Sequence, residues 1–141
     1  MVVLTDNSQN KIEISIEKIR EKAKAVLSAL DSPEGELSIL IVDDSQIGSL
    51  NKKYLNREGT TNVIAFPMQE GQFSDVNPQL LGDIVISVET ACKEGELSGI
   101  SMEERLTQLL VHGILHLFGY DHEKTEQEAR RMEAKARNFS N

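Results

Sequence analysis

The stretch "MEERLTQLLVHGILHLFGYDH", residues 102–122, contains the strongest signals of fold and function in this sequence. Leucine, valine and isoleucine recur in it at helical spacing, which predicts one long helix over 102–118. Gly119 follows, and glycine suits the left-handed position at which many helices end. The same stretch contains every histidine of the chain: His112, His116 and His122. Such crowding predicts a shared chemical task, and metal binding is the first candidate.

His112 and His116 are four residues apart, so they share one helix face with about 5–6 Å between their Cβ atoms. Imidazole nitrogens at that spacing converge on one ion at about 2.0–2.1 Å. The turn after Gly119 is expected to bring His122 in as a third ligand. Three histidines leave one position of a tetrahedral ion for water, as in catalytic zinc sites. We therefore expect one Zn²⁺ here, although histidine also binds other divalent metals.

Two alternatives concern this metal site. Cys92 is a candidate fourth ligand, and it would turn the open site into a closed structural one. The histidine spacing also equals the long zinc-protease pattern H-E-x-x-H-x-x-G-x-x-H. Gly113 stands where that pattern has its glutamate general base. The sequence therefore predicts the metal geometry without the peptidase chemistry.

The rest of the chain predicts a mixture of helices and strands, either α+β or α/β. Ser15 is a predicted N-cap of the first helix, and Asp43 or Asp44 opens the second. In the last helix we expect Ala129, Met132, Ala136 and Phe139 to face the core. The other predicted helices span 15–30, 43–55, 89–97 and 123–139, and the predicted strands span 37–42, 61–66 and 82–88.

Length and composition predict a single domain over residues 1–141. At 15.7 kDa, with 39% hydrophobic and 27% charged residues, the chain has the composition of an ordinary globular protein. One cysteine fits the reducing cytoplasm. The first residues do not have a signal-peptide pattern, and no apolar run reaches the roughly 20 residues of a membrane span. The net charge of −8 argues against unspecific binding to nucleic acids, and we expect neither DNA nor a membrane as partner.

The segment "HGILHLFGYDH" resembles the H-G-x-L-H-L-x-G-Y-D-H signature of the YbeY family, endoribonucleases that act as rRNA maturation factors. Two upstream segments, "TNVIAFP" (61–67) and "LGDIVIS" (81–87), resemble the other characteristic stretches of that family, in the same order. The resemblance runs from about Leu37 to the C-terminal helix. It implies a single-domain α+β fold, with a small mixed sheet packed among helices and the metal site on the long helix and the following turn.

The resemblance also implies a function. It implies Zn²⁺ bound by the three histidines and hydrolysis of phosphodiester bonds in single-stranded RNA. The implied role is 3′-end maturation of 16S rRNA and ribosome quality control, with small-subunit rRNA, the ribosome and ribosomal proteins as partners. Two alternatives remain open: a ribosome assembly factor whose metal is structural, and a metallohydrolase of another class.

The chain departs from the family at one position. The family usually has an arginine, linked to activity, directly after the tyrosine of its "LN..YR" segment. Here the run is "LNKKYLNREGTTN", and an ungapped match places Leu55 there. Arg57 is the candidate replacement, because a guanidinium forms paired charged hydrogen bonds with phosphate. Lys52 or Lys53 is the substitute with poorer geometry, and the alternative is that Arg57 is an exposed loop residue without a role.

The remaining candidates lie beside the histidines. Asp121 is expected either to accept a proton or to orient an imidazole, and the alternative is a turn residue that caps the last helix. Tyr120 is expected to pack against the site, and Asp83 to be structural at the start of a strand. A nuclease also needs local positive charge. The cations that would have to gather near the site are Lys52, Lys53, Arg57, Arg130 and Arg131, with the first-helix cluster from Lys18 to Lys24 as a second possibility.

Overall fold

The computed structural model of the chain describes residues 2–32, 34–68, 80–119 and 122–139, and the side chains of 122–126 and 136–139 lie outside this description. Nine elements follow one another along these residues. They are β1 (Val2–Asn7), α1 (Ile16–Ala29), β2 (Glu36–Val42), α2 (Asp44–Leu55), β3 (Val63–Pro67), β4 (Leu80–Ser87), α3 (Val88–Ser98), α4 (Met102–Leu117) and α5 (His122–Phe139).

The four strands form one mixed sheet in the order β1-β2-β4-β3. Strands β1, β2 and β4 are parallel, and Ile39 of β2 is paired with Ile84 of β4. Strand β3 lies antiparallel to β4 and forms an edge of the sheet, with Ala65 also paired with Ile84. A mixed sheet among helices is an α+β fold, so the fold class that the family resemblance implied is confirmed.

The two faces of the sheet are covered unequally. On one face the strands contact α1 and α4, and α5 packs against both of these helices. This side contains the larger core, which includes Ile39, Ile84 and Ile114, all fully buried. On the other face α2 covers a smaller cluster around Ile47 and Val85. The histidine-bearing helix therefore belongs to the main core, and α2 lies across the sheet from it.

Local sequence signals fix the helix ends. The Ser15 hydroxyl accepts a hydrogen bond from the backbone N–H of Lys18, as an N-cap does. Asp43 opens α2 through a capping box with Gln46. After α4, Gly119 has a φ of 79°, the left-handed conformation that ends a helix. These predictions are confirmed, as is the burial of Ala129 and Met132 in α5; the side chains of Ala136 and Phe139 lie outside the described residues.

Two features differ from the sequence prediction. The N-terminal strand β1 has no counterpart in it, because only Val3 and Thr5 of that strand point into the protein. The predicted strand 82–88 is displaced to Leu80–Ser87, because Ser87 accepts the capping hydrogen bond of α3 and Val88 already begins that helix. Within the described residues, no helix combines the length and the apolar composition needed to cross a bilayer.

Candidate metal centre

The candidate metal centre lies at the C-terminal end of α4. The helix starts at the N-cap Ser101 and ends at Leu117, so His112 and His116 belong to its last two turns. His112 is half-buried and His116 is exposed. The unpaired carbonyl groups at a helix C-terminus carry partial negative charge, which favours a cation nearby. This end of α4 therefore offers two nitrogen ligands and a favourable field.

Gly113 explains how the two histidines come to stand at the protein surface. A Cβ atom at Gly113 would lie 3.0 Å from Cγ2 of Ile84, so α4 approaches β4 very closely there. One turn later, Leu117 lies against Gly82 of the same strand. His112 and His116 form the neighbouring ridge of the helix, since each residue advances by about 100°. The 113–117 ridge is thus pressed against the sheet, and the 112–116 ridge faces outward beside it.

The same contact accounts for the glycine that separates this chain from the zinc-protease pattern. A glutamate at position 113 would push its carboxylate towards Ile84, which is fully buried. Burying an unpaired charge there is strongly unfavourable. The glutamate general base of the zinc-protease pattern therefore does not fit at position 113 as this helix is packed.

The third predicted ligand follows the turn after α4. Gly119 takes the left-handed conformation, and His122 is the first residue of α5. The side chain of His122 lies outside the described residues, as do Tyr120 and Asp121, so their roles stay predictions. A donor set of imidazoles at one turn's spacing fits Zn²⁺ or a similar divalent ion. The site is thus chemically suited to a metal, with His112 and His116 as its described part.

Cys92 is not grouped with the two described histidines, His112 and His116. It is a half-buried free cysteine on α3. Within the described part of the chain, no three His, Cys, Asp or Glu residues are grouped so as to hold a metal ion. The described residues thus give no support to a closed site made by Cys92 with His112 and His116.

Arg57 follows the last turn of α2. Asn56 adopts a left-handed conformation with φ 53°, and the Arg57 N–H donates to the carbonyl of Asn51, which closes the helix end. The Arg57 side chain is exposed. Its neighbour Lys52 forms an ion pair with Glu58, and the Lys53 ammonium lies 5.2 Å from the centre of the Tyr54 ring. Whether Arg57 contacts a phosphate stays a prediction.

The cations of the first helix lie elsewhere. Lys18 and Lys22 line a groove of about 360 Å³ between α1 and the first turns of α4. The Lys22 ammonium donates to the Thr107 hydroxyl at 2.8 Å, and burial lowers the pKa of Lys22. These lysines thus stand at the end of α4 opposite to His116. Arg130 and Arg131 are exposed on α5, about two turns after His122.

Sequence reasoning missed a polar network where the parallel strands β2 and β4 end. The Asp44 carboxylate accepts hydrogen bonds from Ser87 at 2.6 Å, Thr90 at 2.5 Å and Lys93 at 2.9 Å. Partial burial alone would raise the pKa of Asp44, but these three donors together lower it to about 2. The signal was available, since "DD" and "SVET" each follow a buried strand and adjacent parallel strands end at the same edge. This network joins α2 to α3.

Asp83 differs from its predicted place at the start of a strand. It lies inside β4, paired with Phe66 of β3, and it is exposed. Desolvation raises the pKa of its carboxyl group. No described cation forms an ion pair with this carboxylate. Asp83 is thus an acidic residue on the α2 side of the sheet.

The comparisons with known proteins agree with the signature. The sequence profile of the endoribonuclease YbeY family matches residues 4–141. The chain belongs to the YbeY family. A protein called Endoribonuclease YbeY from Geobacter metallireducens is 49% identical over 138 residues, covering 97% of this chain and 92% of that protein. The protein of the same name from Aquifex aeolicus is 43% identical over 122 residues, covering 86% and 79%.

A solved structure has the same fold. The solution structure of TM1509 from Thermotoga maritima aligns with a TM-score of 0.64, covering 99% of this chain and 87% of that one. The two sequences are 20% identical, so this likeness concerns the fold alone.

Proposed function

We propose that this YbeY family member is a metal-dependent endoribonuclease that hydrolyses phosphodiester bonds in single-stranded RNA. One Zn²⁺, or another divalent ion, would be held by His112, His116 and His122. Membership of a family of endoribonucleases supports the reaction class. The observation that carries the metal site is the outward ridge of His112 and His116, set beside the close contact of Gly113 with Ile84.

Different side chains of the protein would bind the metal, bind the phosphate and accept a proton. His112 and His116 would provide nitrogen donors from α4, and His122 would add the third donor from the start of α5. A bound divalent ion supplies Lewis-acid activation of water and of a phosphoryl oxygen. The exposed guanidinium of Arg57 would bind a non-bridging phosphate oxygen and offset charge that develops on it. Asp121 would accept a proton or orient an imidazole.

The wider role is proposed from the family. We expect the RNA to be small-subunit rRNA, with cleavage maturing the 3′ end of 16S rRNA and serving ribosome quality control. The partners would then be the ribosome and ribosomal proteins, and the place of action the cytoplasm. The net charge of −8 suits an enzyme with little affinity for RNA outside the ribosome.

The direct test is RNA cleavage by the purified protein. A single-stranded RNA is incubated with the protein, with and without a chelator, and then after Zn²⁺ is restored. We expect cleavage that the chelator abolishes and that Zn²⁺ recovers. Uncut RNA beside a folded, metal-loaded protein would refute the nuclease and favour the assembly factor with a structural metal. Cleavage of casein instead of RNA would favour a metallohydrolase of another class.

The role of Arg57 needs a matched control. Arg57→Ala should lower the cleavage rate at least tenfold, because a charged contact to the reacting phosphate is lost. Lys135→Ala removes an exposed cation of α5 that lies beside α1, and it should cut RNA at the wild-type rate. Equal rates for both variants would exclude Arg57 from the site.

A further inference from the structure

An exposed aromatic ring stands in the same segment as Arg57. Tyr54 is 58% exposed in the last turn of α2. Among the large apolar side chains that are exposed in the described part of the chain, Tyr54 is the aromatic one. Tyrosine is a large, partly apolar side chain, and leaving its ring in water forgoes the stabilisation of burial. Much of the ring is therefore accessible to a ligand.

The ring of Tyr54 is held in place. The half-buried Phe66 meets it at 5.8 Å between centroids, with an interplanar angle of 76°, which is an edge-to-face contact. Phe66 itself packs against the buried cluster beneath α2. A ring with two side-chain torsions, fixed by a neighbour and mounted on a helix, loses little conformational entropy when a flat group stacks on it.

The sequence segment around the ring is basic in an acidic protein, although the exposed carboxylate of Asp83, which is paired with Phe66, lies on the same side of the sheet. Residues 45–69 contain three cations and one carboxylate, although the whole chain has 15 basic and 23 acidic residues. The carboxylate, Glu58, is paired with Lys52. No described acidic residue forms an ion pair with Lys53 or Arg57. The Lys53 ammonium lies over the ring, 5.2 Å from its centre, and the exposed Arg57 follows Tyr54 by three residues, so both cations are available for phosphates.

This surface adjoins the histidine end of α4 through β3. Phe66 is paired with β4 next to Gly82, where a Cβ atom would overlap the Phe66 carbonyl oxygen and lie 3.1 Å from Leu117. Leu117 is the residue after His116. Strand β3 is an edge strand, so the Tyr54 side and the α4 side of the sheet meet along it.

We propose that Lys53, Tyr54, Arg57 and Phe66, the Tyr54 platform, bind single-stranded RNA next to the candidate metal centre, with one base stacked on the Tyr54 ring and the cations on the flanking phosphates. The assignment rests on the proposed ribonuclease function and extends it to substrate binding. Base stacking on an aromatic ring beside cations is how proteins hold unpaired nucleotides without regard to sequence. The charge of the segment favours RNA over an apolar protein partner.

The test is the affinity for a short, unstructured 2′-O-methyl oligonucleotide, measured with the metal-loaded protein by fluorescence anisotropy. Tyr54→Leu keeps an apolar side chain but removes the ring, and we expect about tenfold weaker binding, within the range for one lost stacking contact. Tyr54→Phe keeps the ring and should bind as the wild type does. Leu97→Ala, at a residue that is 89% exposed on α3, is the surface control and should change nothing.

Two further measurements separate stacking from charge. An abasic strand of the same length should bind wild type and Tyr54→Leu equally, because it has no base to stack. Arg57→Ala should reduce the salt dependence of binding, while Tyr54→Leu should leave it unchanged. Wild-type affinity in Tyr54→Leu, with an unchanged urea midpoint, would overturn the platform and point to a protein contact or a structural role.

The failure of the platform differs from the failure of the proposed function. If the wild type cuts RNA and Tyr54→Leu cuts and binds it equally well, only the platform is refuted. If the wild type neither cuts nor binds RNA, both proposals are refuted.

Discussion

Replacing Gly113 by alanine measures how closely α4 packs on the sheet beneath the histidines. The new Cβ atom would stand 3.0 Å from Cγ2 and 3.3 Å from Cδ1 of Ile84, which is fully buried. Gly48 in α2 is the matched control, because a Cβ atom there meets nothing nearer than the Gly59 carbonyl oxygen at 3.8 Å. The two variants make the same chemical change in two helices.

The two substitutions, Gly48→Ala and Gly113→Ala, are expected to change the free energy of unfolding in opposite directions. Alanine is favoured over glycine in a helix interior by about 1 kcal/mol, so Gly48→Ala should stabilise the protein by up to that amount. At Gly113 the same gain is opposed by overpacking, which costs about 1–3 kcal/mol in a tight core. We expect Gly113→Ala to be destabilised by about 1 kcal/mol, or about 4 °C in melting temperature for a chain of this size.

Urea unfolding followed by circular dichroism gives the free energy of unfolding of each variant, from the urea midpoint and the dependence of the free energy on urea concentration. The reasoning is refuted if Gly113→Ala gains stability as Gly48→Ala does, because α4 would then lie farther from β4 than the contact with Ile84 requires. Gly113→Glu should not fold stably, since it adds a buried charge to the overpacking. A stable Gly113→Glu variant would remove the explanation for the missing peptidase glutamate.

Further predictions concern charge and capping. Asp44→Asn should lower stability at pH 7 by about 1–2 kcal/mol. Because the folded pKa of about 2 lies below the ordinary 3.8, this contribution holds above about pH 4 and fades towards pH 2, where urea midpoints of both proteins should converge. Asp83→Asn should raise the urea midpoint at pH 7, because burial raises the pKa of the Asp83 carboxyl group and so disfavours its charged form in the folded protein. Below about pH 4 the substitution should not raise the urea midpoint. Ser101→Ala should cost about 1 kcal/mol in urea unfolding by uncapping α4.

Much of the fold was predictable because its signals are local. The capping residues Ser15 and Asp43 and the left-handed Gly119 mark helix ends by their own hydrogen bonds and dihedral angles. Apolar spacing predicted the long helix and three strands. Each of these features depends on neighbours within a few residues, so one sequence was enough to find them.

Other features depend on contacts between distant segments. Strand β1 is stabilised by parallel pairing with β2, about 30 residues later, and at its own positions the alternation is short. The close approach of α4 to the sheet at Gly113 depends on Ile84. The hydrogen bonds to the Asp44 carboxylate depend on Ser87 and Thr90. A glycine or a pair of aspartates in a sequence does not say which strand lies opposite.

The candidate site was predictable to a similar degree. Histidine spacing and Gly119 predicted a helix followed by a turn, and His112 and His116 do stand one turn apart at the end of α4. The sequence did not predict that the 112–116 ridge faces outward, because this direction follows from the packing of Gly113 and Leu117 on β4. The aromatic ring of Tyr54 stood in the same sequence segment as Arg57, yet its exposure follows from the way α2 lies on the sheet.

The central claim is that three imidazoles bind one divalent ion at the end of α4. Elemental analysis of the purified protein, dialysed against buffer with a trace of Zn²⁺, measures this directly when it is done beside His116→Ala. We predict one ion per chain in the wild type and far less in the variant, both being folded. An equal metal content in the two proteins, or a folded wild type that takes up no metal, would contradict the account.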